Sequence, residues 1–247
     1  MEFIPEIYQF TNSDAEELKF LGYQLISDNI DSFIRFMQTK FRNFNLLALL
    51  KVVDKQFSDT TDKYIIREIR FEESSNKLRI NYHNGCDDED NALAFVREFS
   101  VKANAIKVNH IYCVIPKSSR NKGLIKPVFR ESLQQYVNCN AKVISVHAGL
   151  SGGGYTWARH GFCATIRSEV DFILQEAKKL LSNHEFGVVE KIYNTYYYKN
   201  PKGKAFPMDL WAALDFMKPV LMGSDWHGEL NLKNKEQFRN FKDYVSR

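Results

Sequence analysis

Residues 109–162 constrain the fold of this chain more than any other stretch. Their pattern predicts a strand that ends near Ile115, a basic turn around Gly123, an amphipathic helix and a second strand. A glycine-rich turn at residues 151–154 follows, and then a short helix that stops at Gly161. This succession of strands and helices predicts an α+β protein, in which the two turns are the places for a ligand.

The flanking segments predict helices before this stretch, strands next to it and helices after it. Apolar residues recur at the three- and four-residue spacing of a helix up to about residue 53, and they alternate as in a strand from Lys63 onward. We expect an N-terminal helical segment over residues 1–60, a core over 61–167 and a C-terminal helical extension over 168–247 that completes the same domain. The predicted N-terminal elements are a helix over residues 13–22 that opens with a Ser13–Glu16 capping box and a helical stripe over 26–53 broken near 43–45. The core is predicted to hold a hairpin with its turn at 74–76 and strands over 92–101 and 106–115 joined by a turn at 102–104. The C-terminal part is predicted to hold a helix over 169–181, a helix or strand over 188–198, a turn-rich, extended region over 219–232 and a closing helix over 235–245.

Composition indicates a globular protein rather than a disordered or fibrous one. Hydrophobic residues make up 44% of the chain and charged residues 26%, which is an ordinary balance. The net charge of +4 permits a nucleic-acid partner but does not require one. The N-terminus has no signal-peptide pattern and no apolar run reaches the ~18 residues of a membrane span, so we expect a cytoplasmic protein without membrane contact.

No metal site is expected from the sequence. The cysteines are not spaced as C-x-x-C pairs, and no histidine stands at zinc-finger spacing from them. The acidic run at residues 87–90 lacks the alternating ligand spacing of a calcium loop, so it is interpreted as a solvated loop. The four thiols belong to Cys86, Cys113, Cys139 and Cys163.

The turn after the first strand has the features of an anion site. An apolar strand runs to Ile115, a basic turn follows, and a helix begins soon after Gly123. A helix N-terminus presents unpaired N–H groups and the positive end of a dipole, which suits a phosphate or pyrophosphate. The residues of this turn are Arg120, Asn121, Lys122, Gly123, Leu124 and Ile125.

This order of motifs resembles the GNAT superfamily, the acyl-CoA-dependent N-acetyltransferases. Their pyrophosphate loop has an Arg or Gln three residues before a Gly, as Arg120 and Gly123 have here, and a second strand follows. A helix then ends in Tyr-x-x-x-Gly-Phe, which Trp157, Gly161 and Phe162 match except at the first position. The resemblance covers roughly residues 64–167. Residues 217–232 also resemble C-terminal segments found beside GNAT-like domains in phages and mobile elements, which would place Trp226 and His227 at the end of the fold, over the cleft.

The resemblance implies a mixed, mostly antiparallel sheet whose two central strands splay apart around the pantetheine arm of CoA. It implies that acetyl-CoA is the co-substrate and that an amine attacks the thioester directly. In this reading Ile115, the six turn residues and Trp157 contact the CoA. His110 stands near the family's base, with His147 as the rival base, and Tyr155 is the substitute for the acid that Trp157 cannot supply.

Three functions remain open at this point. The first is an N-acyltransferase whose acceptor amine is not identified. The amine belongs to a small molecule or a protein, with a tRNA as the less favoured alternative. The second is a GNAT-fold binding protein without catalysis, which the branched side chain of Ile125 and the indole of Trp157 favour. The third is an acyltransferase that acts on nucleic acid.

Overall fold

The computed structural model describes residues 2–26, 29–88, 90–103, 105–150, 152–203 and 205–246. The chain separates into two units, Met1–Lys142 with Val245–Arg247, and Val143–Tyr244. Unit 1 is the first of these and unit 2 is the second. Residue 60 lies inside unit 1 and residue 167 inside unit 2, and the three-part division based on the sequence stays a prediction.

Unit 1 begins with three helices and a short strand between the first two, and it continues with four antiparallel strands and a fourth helix. Its elements are α1 (Asn12–Phe20), β1 (Gln24–Ile26), α2 (Ile30–Lys40), α3 (Leu46–Phe57), β2 (Ile66–Glu72), β3 (Lys77–His83), β4 (Ala94–Lys102), β5 (Ala105–Val114) and α4 (Ile125–Asn138), followed by the start of β6 (Ala141–His147).

The starts of α1, α2 and α3 are fixed by side chains that accept backbone N–H groups. The capping box of α1 is made by Thr11 and Asp14 and not by Ser13 and Glu16, so that prediction was wrong. Both pairs have the same spacing, but Thr11 is the residue with the extended backbone that a cap needs. The predicted break in the helical stripe is confirmed, because α2 ends at Lys40 and Asn45 caps α3.

The strands of unit 1 pair in the order β1, β2, β3, β4, β5. The pair β1–β2 is parallel and the three others are antiparallel. The predicted hairpin is confirmed, with Glu72 opposite Lys77 and Asn76 in the left-handed region at φ 51°. Between β4 and β5 the register shifts after Val96, so that Ile111 is the extra residue of a β-bulge.

An aromatic core joins the helices of unit 1 to its strands. Phe36 of α2 lies 5.1 Å from Phe71 of β2, and Phe57 of α3 lies 6.5 Å from Phe95 of β4, measured between ring centroids. Tyr136 places α4 against Phe99 of β4. Burial of apolar side chains such as these rings is the main favourable contribution to folding.

Unit 2 is the C-terminal continuation of the chain. Its elements are the rest of β6, α5 (Gly153–Arg159), β7 (Cys163–Ala164), α6 (Arg167–Leu180), α7 (Asn183–Lys199), β8 (Phe206–Pro207), α8 (Asp209–Ala212), α9 (Lys218–Met222), β9 (His227–Asn231) and most of α10 (Lys235–Ser246). Its strands pair in the order β6, β9, β7, β8, and all three pairs are antiparallel.

The C-terminal predictions have mixed outcomes. The segment predicted as helix or strand over 188–198 belongs to helix α7, and the predicted closing helix is α10. Residues 219–232 are not extended throughout, because most of α9 lies there before β9. Pro219 lies in the first turn of α9, where the missing N–H costs no hydrogen bond.

The predicted class is confirmed at the level of an α+β chain with mostly antiparallel strands. Parts of three predicted segments lie outside the described residues: Glu89 of the acidic run, Asn104 of the turn at 102–104 and Ser151 of the glycine-rich turn.

Candidate functional site

The turn between β5 and α4 in unit 1 is shaped by two residues with left-handed backbones. Asn121 has φ 63° and Gly123 has φ 77°, and α4 begins two residues later. A Cβ added to Gly123 would meet no atom within 4 Å, so the backbone conformation, not a lack of space, is what favours glycine there. The turn therefore reaches the helix N-terminus through two residues in the left-handed region.

The N-terminus of α4 carries no side-chain cap and no acidic residue in its first turn. Asn121, Lys122 and Gly123 are exposed, and Leu124 and Ile125 are half-buried. Arg120 donates its Nε to the carbonyl of Ile115 at 3.1 Å, which ties the turn to the end of the strand segment. An uncapped, cationic helix start is the arrangement that attracts an anion.

His110 lies in the interior of unit 1. Its side chain is 4% exposed, and its Nε2 lies 2.8 Å from the hydroxyl of Tyr136. Burial, and after it the charge of Arg97, holds the pKa of His110 well below its ordinary value of 6.5. The imidazole is therefore neutral at physiological pH and is enclosed by packed side chains.

A buried arginine stabilises the bulge beside His110. Arg97 is fully buried and its Nη1 donates to the carbonyls of Val96 and Tyr112, at 2.9 and 2.7 Å. Its guanidinium also lies over the ring of Phe95, 4.1 Å from the centroid. Arg97 stands two residues from Phe95 and two from Phe99 on β4, so strand alternation places it on the same face as these two buried rings.

The remaining predicted site residues belong to unit 2. Tyr155 and Trp157 lie on α5 and are half-buried. Trp157 packs edge-to-face against Phe162, with ring centroids 5.0 Å apart. The ring of Tyr155 has two cationic neighbours, Lys218 at 5.6 Å and Arg159 at 5.7 Å.

Among the predicted site residues, His147 contacts both a second imidazole and a carboxylate. It ends β6 and lies opposite His227, the first residue of β9, in the antiparallel register. The two imidazole rings are stacked, 4.3 Å between centroids and 3° from parallel. Directly opposed residues on antiparallel strands bring their side chains together on one face, which explains the contact.

Each imidazole of this pair is held by its own carboxylate. His147 Nε2 lies 2.5 Å from Asp225 Oδ1. His227 Nδ1 lies 2.7 Å from Glu169 Oε1, and the backbone N–H of His227 donates to Glu169 Oε2 at 2.7 Å. We call these four residues the histidine–carboxylate cluster.

The cluster is open to solvent and rests on a rigid support. Its side chains are 52% exposed at His147, 67% at Asp225, 50% at His227 and 22% at Glu169. Trp226, which separates Asp225 from His227 in the sequence, is fully buried, and its carbonyl accepts the N–H of Ala148 at 2.8 Å. The imidazoles are therefore reachable while the backbone that carries them is anchored.

Glycines allow the close packing around this cluster. A Cβ on Gly149 would lie 3.1 Å from both Asp225 Oδ1 and His147 Nε2. A Cβ on Gly154 would lie 2.3 Å from the carbonyl oxygen of Leu221 and from Ser224 Oγ, next to Asp225 in sequence. The glycine-rich turn thus serves a packing role beside the histidine–carboxylate cluster.

Sequence reasoning named His147 as a base and His227 only as part of the end of the fold. It missed Asp225 and Glu169, because neither stands in a local motif with a histidine. The sequence holds only a weak indication of this cluster, since His147 and His227 each adjoin a small residue at a strand end. That the two histidines lie opposite each other follows only from the register between β6 and β9.

Comparisons with known proteins leave the chain without assigned relatives. No protein-family model matches it, and no curated protein or solved structure matches it either. Among the described residues no group of three or more metal-ligating side chains has the geometry to hold a metal ion. Within the same residues no helix is both long and apolar enough to cross a membrane.

Proposed function

We propose that the protein is an acyl-CoA-dependent N-acyltransferase that transfers an acyl group, acetyl in the simplest case, to an amine. The observation that carries the proposal is the turn at residues 120–125, which leads into an uncapped helix with no acidic residue in its first turn. The sequence places the Arg-x-x-Gly spacing of the GNAT pyrophosphate loop in the same turn. In this proposal acetyl-CoA is the co-substrate and its pyrophosphate binds at the start of α4.

The chemistry needs few protein groups. The amine nitrogen attacks the thioester carbon, so that the protein has to orient the two reactants and accept one proton. His110 does not suit that proton transfer, because its imidazole is enclosed and hydrogen-bonded to Tyr136. His147, the other histidine that the sequence offers as a base, has an exposed side chain.

A calorimetric titration with acetyl-CoA tests the proposed ligand. We expect Lys122→Glu to weaken binding about tenfold, because losing a charge-assisted contact costs about 1.5 kcal/mol. Lys102→Glu is the matched control, since Lys102 is also an exposed lysine of unit 1 but lies at the end of β4. Equal affinity of the two variants, or no heat from the unchanged protein at about 1 mM acetyl-CoA, would contradict the proposal.

A non-catalytic binding protein is the second candidate. Two observations favour it: the indole of Trp157 is packed against Phe162 where the family has a tyrosine, and His110 is enclosed. This candidate predicts acetyl-CoA binding without release of free CoA in the presence of any amine. Turnover with even one amine would exclude it.

A further inference from the structure

We propose that Arg97 forms a binding site for one small monovalent anion in the interior of unit 1. The ligand class is a halide or a carboxylate of about the size of acetate. The site is independent of the proposed acyl transfer and is built from residues of unit 1 alone.

Arg97 is a buried cation whose hydrogen bonds are only partly made. Its guanidinium carries a permanent positive charge, and every one of its nitrogens is a donor. Nη1 donates to the carbonyls of Val96 and Tyr112, at 2.9 and 2.7 Å. Nε and Nη2 are also buried, and they reach no acceptor in the part of the chain that the structure describes. The edge of the guanidinium that Nε and Nη2 form is therefore available to a ligand.

Two other arginines of unit 1 use this same edge to hold a carboxylate. Nε and Nη2 of Arg67 both donate to Asp54 Oδ1, at 2.9 and 2.7 Å. Nε and Nη2 of Arg70 both donate to Glu68 Oε2, at 3.1 and 2.8 Å. In each pair one anionic oxygen takes two charge-assisted hydrogen bonds, which are among the strong ones in proteins. The corresponding edge of Arg97 can take an anion in the same way.

No acidic side chain balances the charge of Arg97. Glu98 is the next residue of β4, but strand alternation turns it to the opposite face, where its Oε1 lies 3.5 Å from Lys77 Nζ. Among the described residues no carboxylate accepts a hydrogen bond from Arg97. The counter-charge therefore has to come from a ligand.

The titratable neighbours of Arg97 supply no negative charge either. Burial raises the pKa of the Tyr136 hydroxyl to about 12, against the lowering effect of Arg97. Burial also raises the pKa of the Cys113 thiol, again against Arg97. His110 is neutral, because burial and then Arg97 lower its pKa. A buried charge without a counter-charge is unfavourable, so binding of an anion beside it is favoured.

The surroundings of the guanidinium select a small, singly charged ion. The ring of Phe95 lies 4.1 Å from the guanidinium carbon and the ring of Phe129 lies 5.8 Å from it, measured to the centroids. One negative charge neutralises Arg97, whereas two would leave a net charge in the interior. On the paired strand β5, Cys113 is half-buried and Tyr112 is exposed. We expect the anion to enter on that side by local opening.

The test uses the whole chain after dialysis into sodium gluconate, whose anion is too bulky for this interior. Ion chromatography of the unfolded protein checks that dialysis has removed any bound chloride or acetate. Chloride or acetate then replaces gluconate at constant ionic strength, while the line width of the chloride NMR signal and the calorimetric Tm are measured. We expect saturable line broadening with a Kd of about 10 mM, and a rise in Tm of about 4 °C at about 100 mM anion. Acetate should narrow the chloride signal by competition.

Three variants locate the response. Arg97→Met should abolish the line broadening and the rise in Tm, because it removes the guanidinium. Arg70→Met is the matched control and should keep both responses, since Arg70 is an exposed arginine of β2 that pairs with Glu68. Arg97→Lys covers the case in which Arg97→Met does not fold. It keeps the charge, loses the edge of Nε and Nη2, and should weaken binding at least about tenfold.

The outcomes are distinct. A folded Arg97→Met variant that responds like the unchanged protein, or an Arg97→Lys variant with an unchanged Kd, would overturn the site. An unchanged protein that is free of anion after dialysis, and in which neither chloride nor acetate alters line width or Tm, would overturn it as well. A response to acetate alone identifies the ligand as a carboxylate and a response to chloride alone as a halide, and each of them supports the site.

Discussion

Replacing Gly154 by alanine tests the packing that places the loop of Asp225 beside His147. Gly154 lies in α5, and a Cβ there would come 2.3 Å from both the carbonyl oxygen of Leu221 and Ser224 Oγ. Unstrained Cβ contacts are not shorter than 3.0 Å, so α5 and residues 221–224 have to move apart. One of the two atoms belongs to the backbone, which cannot rotate away.

The magnitude follows from two opposing terms. Alanine in a helix is favoured over glycine by about 1 kcal/mol. Overpacking costs about 1–3 kcal/mol, and the clash with a backbone oxygen places Gly154→Ala at the upper end, about 3 kcal/mol, so that the net loss is about 2 kcal/mol. We expect Gly154→Ala to lower the free energy of unfolding by about 2 kcal/mol and to disturb the hydrogen bond between His147 and Asp225.

Gly187→Ala is the matched control because it gains the helix preference of alanine without any overpacking. Gly187 lies within α7 of the same unit, and a Cβ there would meet no atom within 4 Å. It should raise the free energy of unfolding by about 0.5–1 kcal/mol. Two changes from glycine to alanine in helices should thus have opposite signs.

Urea denaturation followed by tryptophan fluorescence is the suitable assay. The chain has three tryptophans, Trp157, Trp211 and Trp226, and all of them lie in unit 2 with both glycines. The signal therefore reports on the unit that is changed. A Gly154→Ala variant as stable as Gly187→Ala would refute the packing argument.

Two further predictions concern protonation and thiol chemistry. Burial, and after it the charge of Arg159, lowers the pKa of His160 to about 3 from its ordinary value of 6.5. Between pH 3 and pH 6.5 the unfolded chain binds a proton at His160 that the native state does not bind. The contribution of His160 to the free energy of unfolding is therefore complete above pH 6.5 and is lost as the pH falls towards 3. The urea midpoint should decrease from pH 7 to pH 5, and less so in His160→Gln; an identical decrease in both proteins would contradict the assignment. Burial also raises the pKa of the Cys139 and Cys163 thiols to about 12, whereas Cys86 is half-buried with Lys63 Nζ 3.0 Å from its sulfur. Iodoacetamide at pH 7.5 should alkylate Cys86 first, and peptide mapping that finds Cys139 or Cys163 modified earlier in the native protein would contradict this.

Local patterns predicted much of the secondary structure correctly. The stripe of apolar residues in α2, the turn at Asn76 and the basic turn before α4 are all encoded within a few neighbouring positions. Their physical basis is the period of the backbone and the conformational preference of single residues, which act over one or two turns of chain. The same local rules failed for α1, where two capping boxes of equal spacing overlap.

Because local patterns act over short distances, the sequence predicted one part of the candidate site and not the other. The turn at residues 120–125 is contiguous, so its shape and charge could be inferred from the sequence alone. His110 has the alternation of a strand residue, but the pattern does not say which face of the strand becomes covered. Burial beside Tyr136 and Arg97 depends on α4 packing over that face.

The amino-acid sequence by itself therefore determined the α+β character, most of the helices and strands, and a cationic turn before α4. Only the tertiary structure decided that His147 and His227 stack and that each holds its own carboxylate. Glu169, Asp225 and His227 follow His147 by 22, 78 and 80 residues (from their numbers in the sequence). No local period links such distant positions, because their meeting is set by the pairing of β6 with β9 and by burial of Trp226.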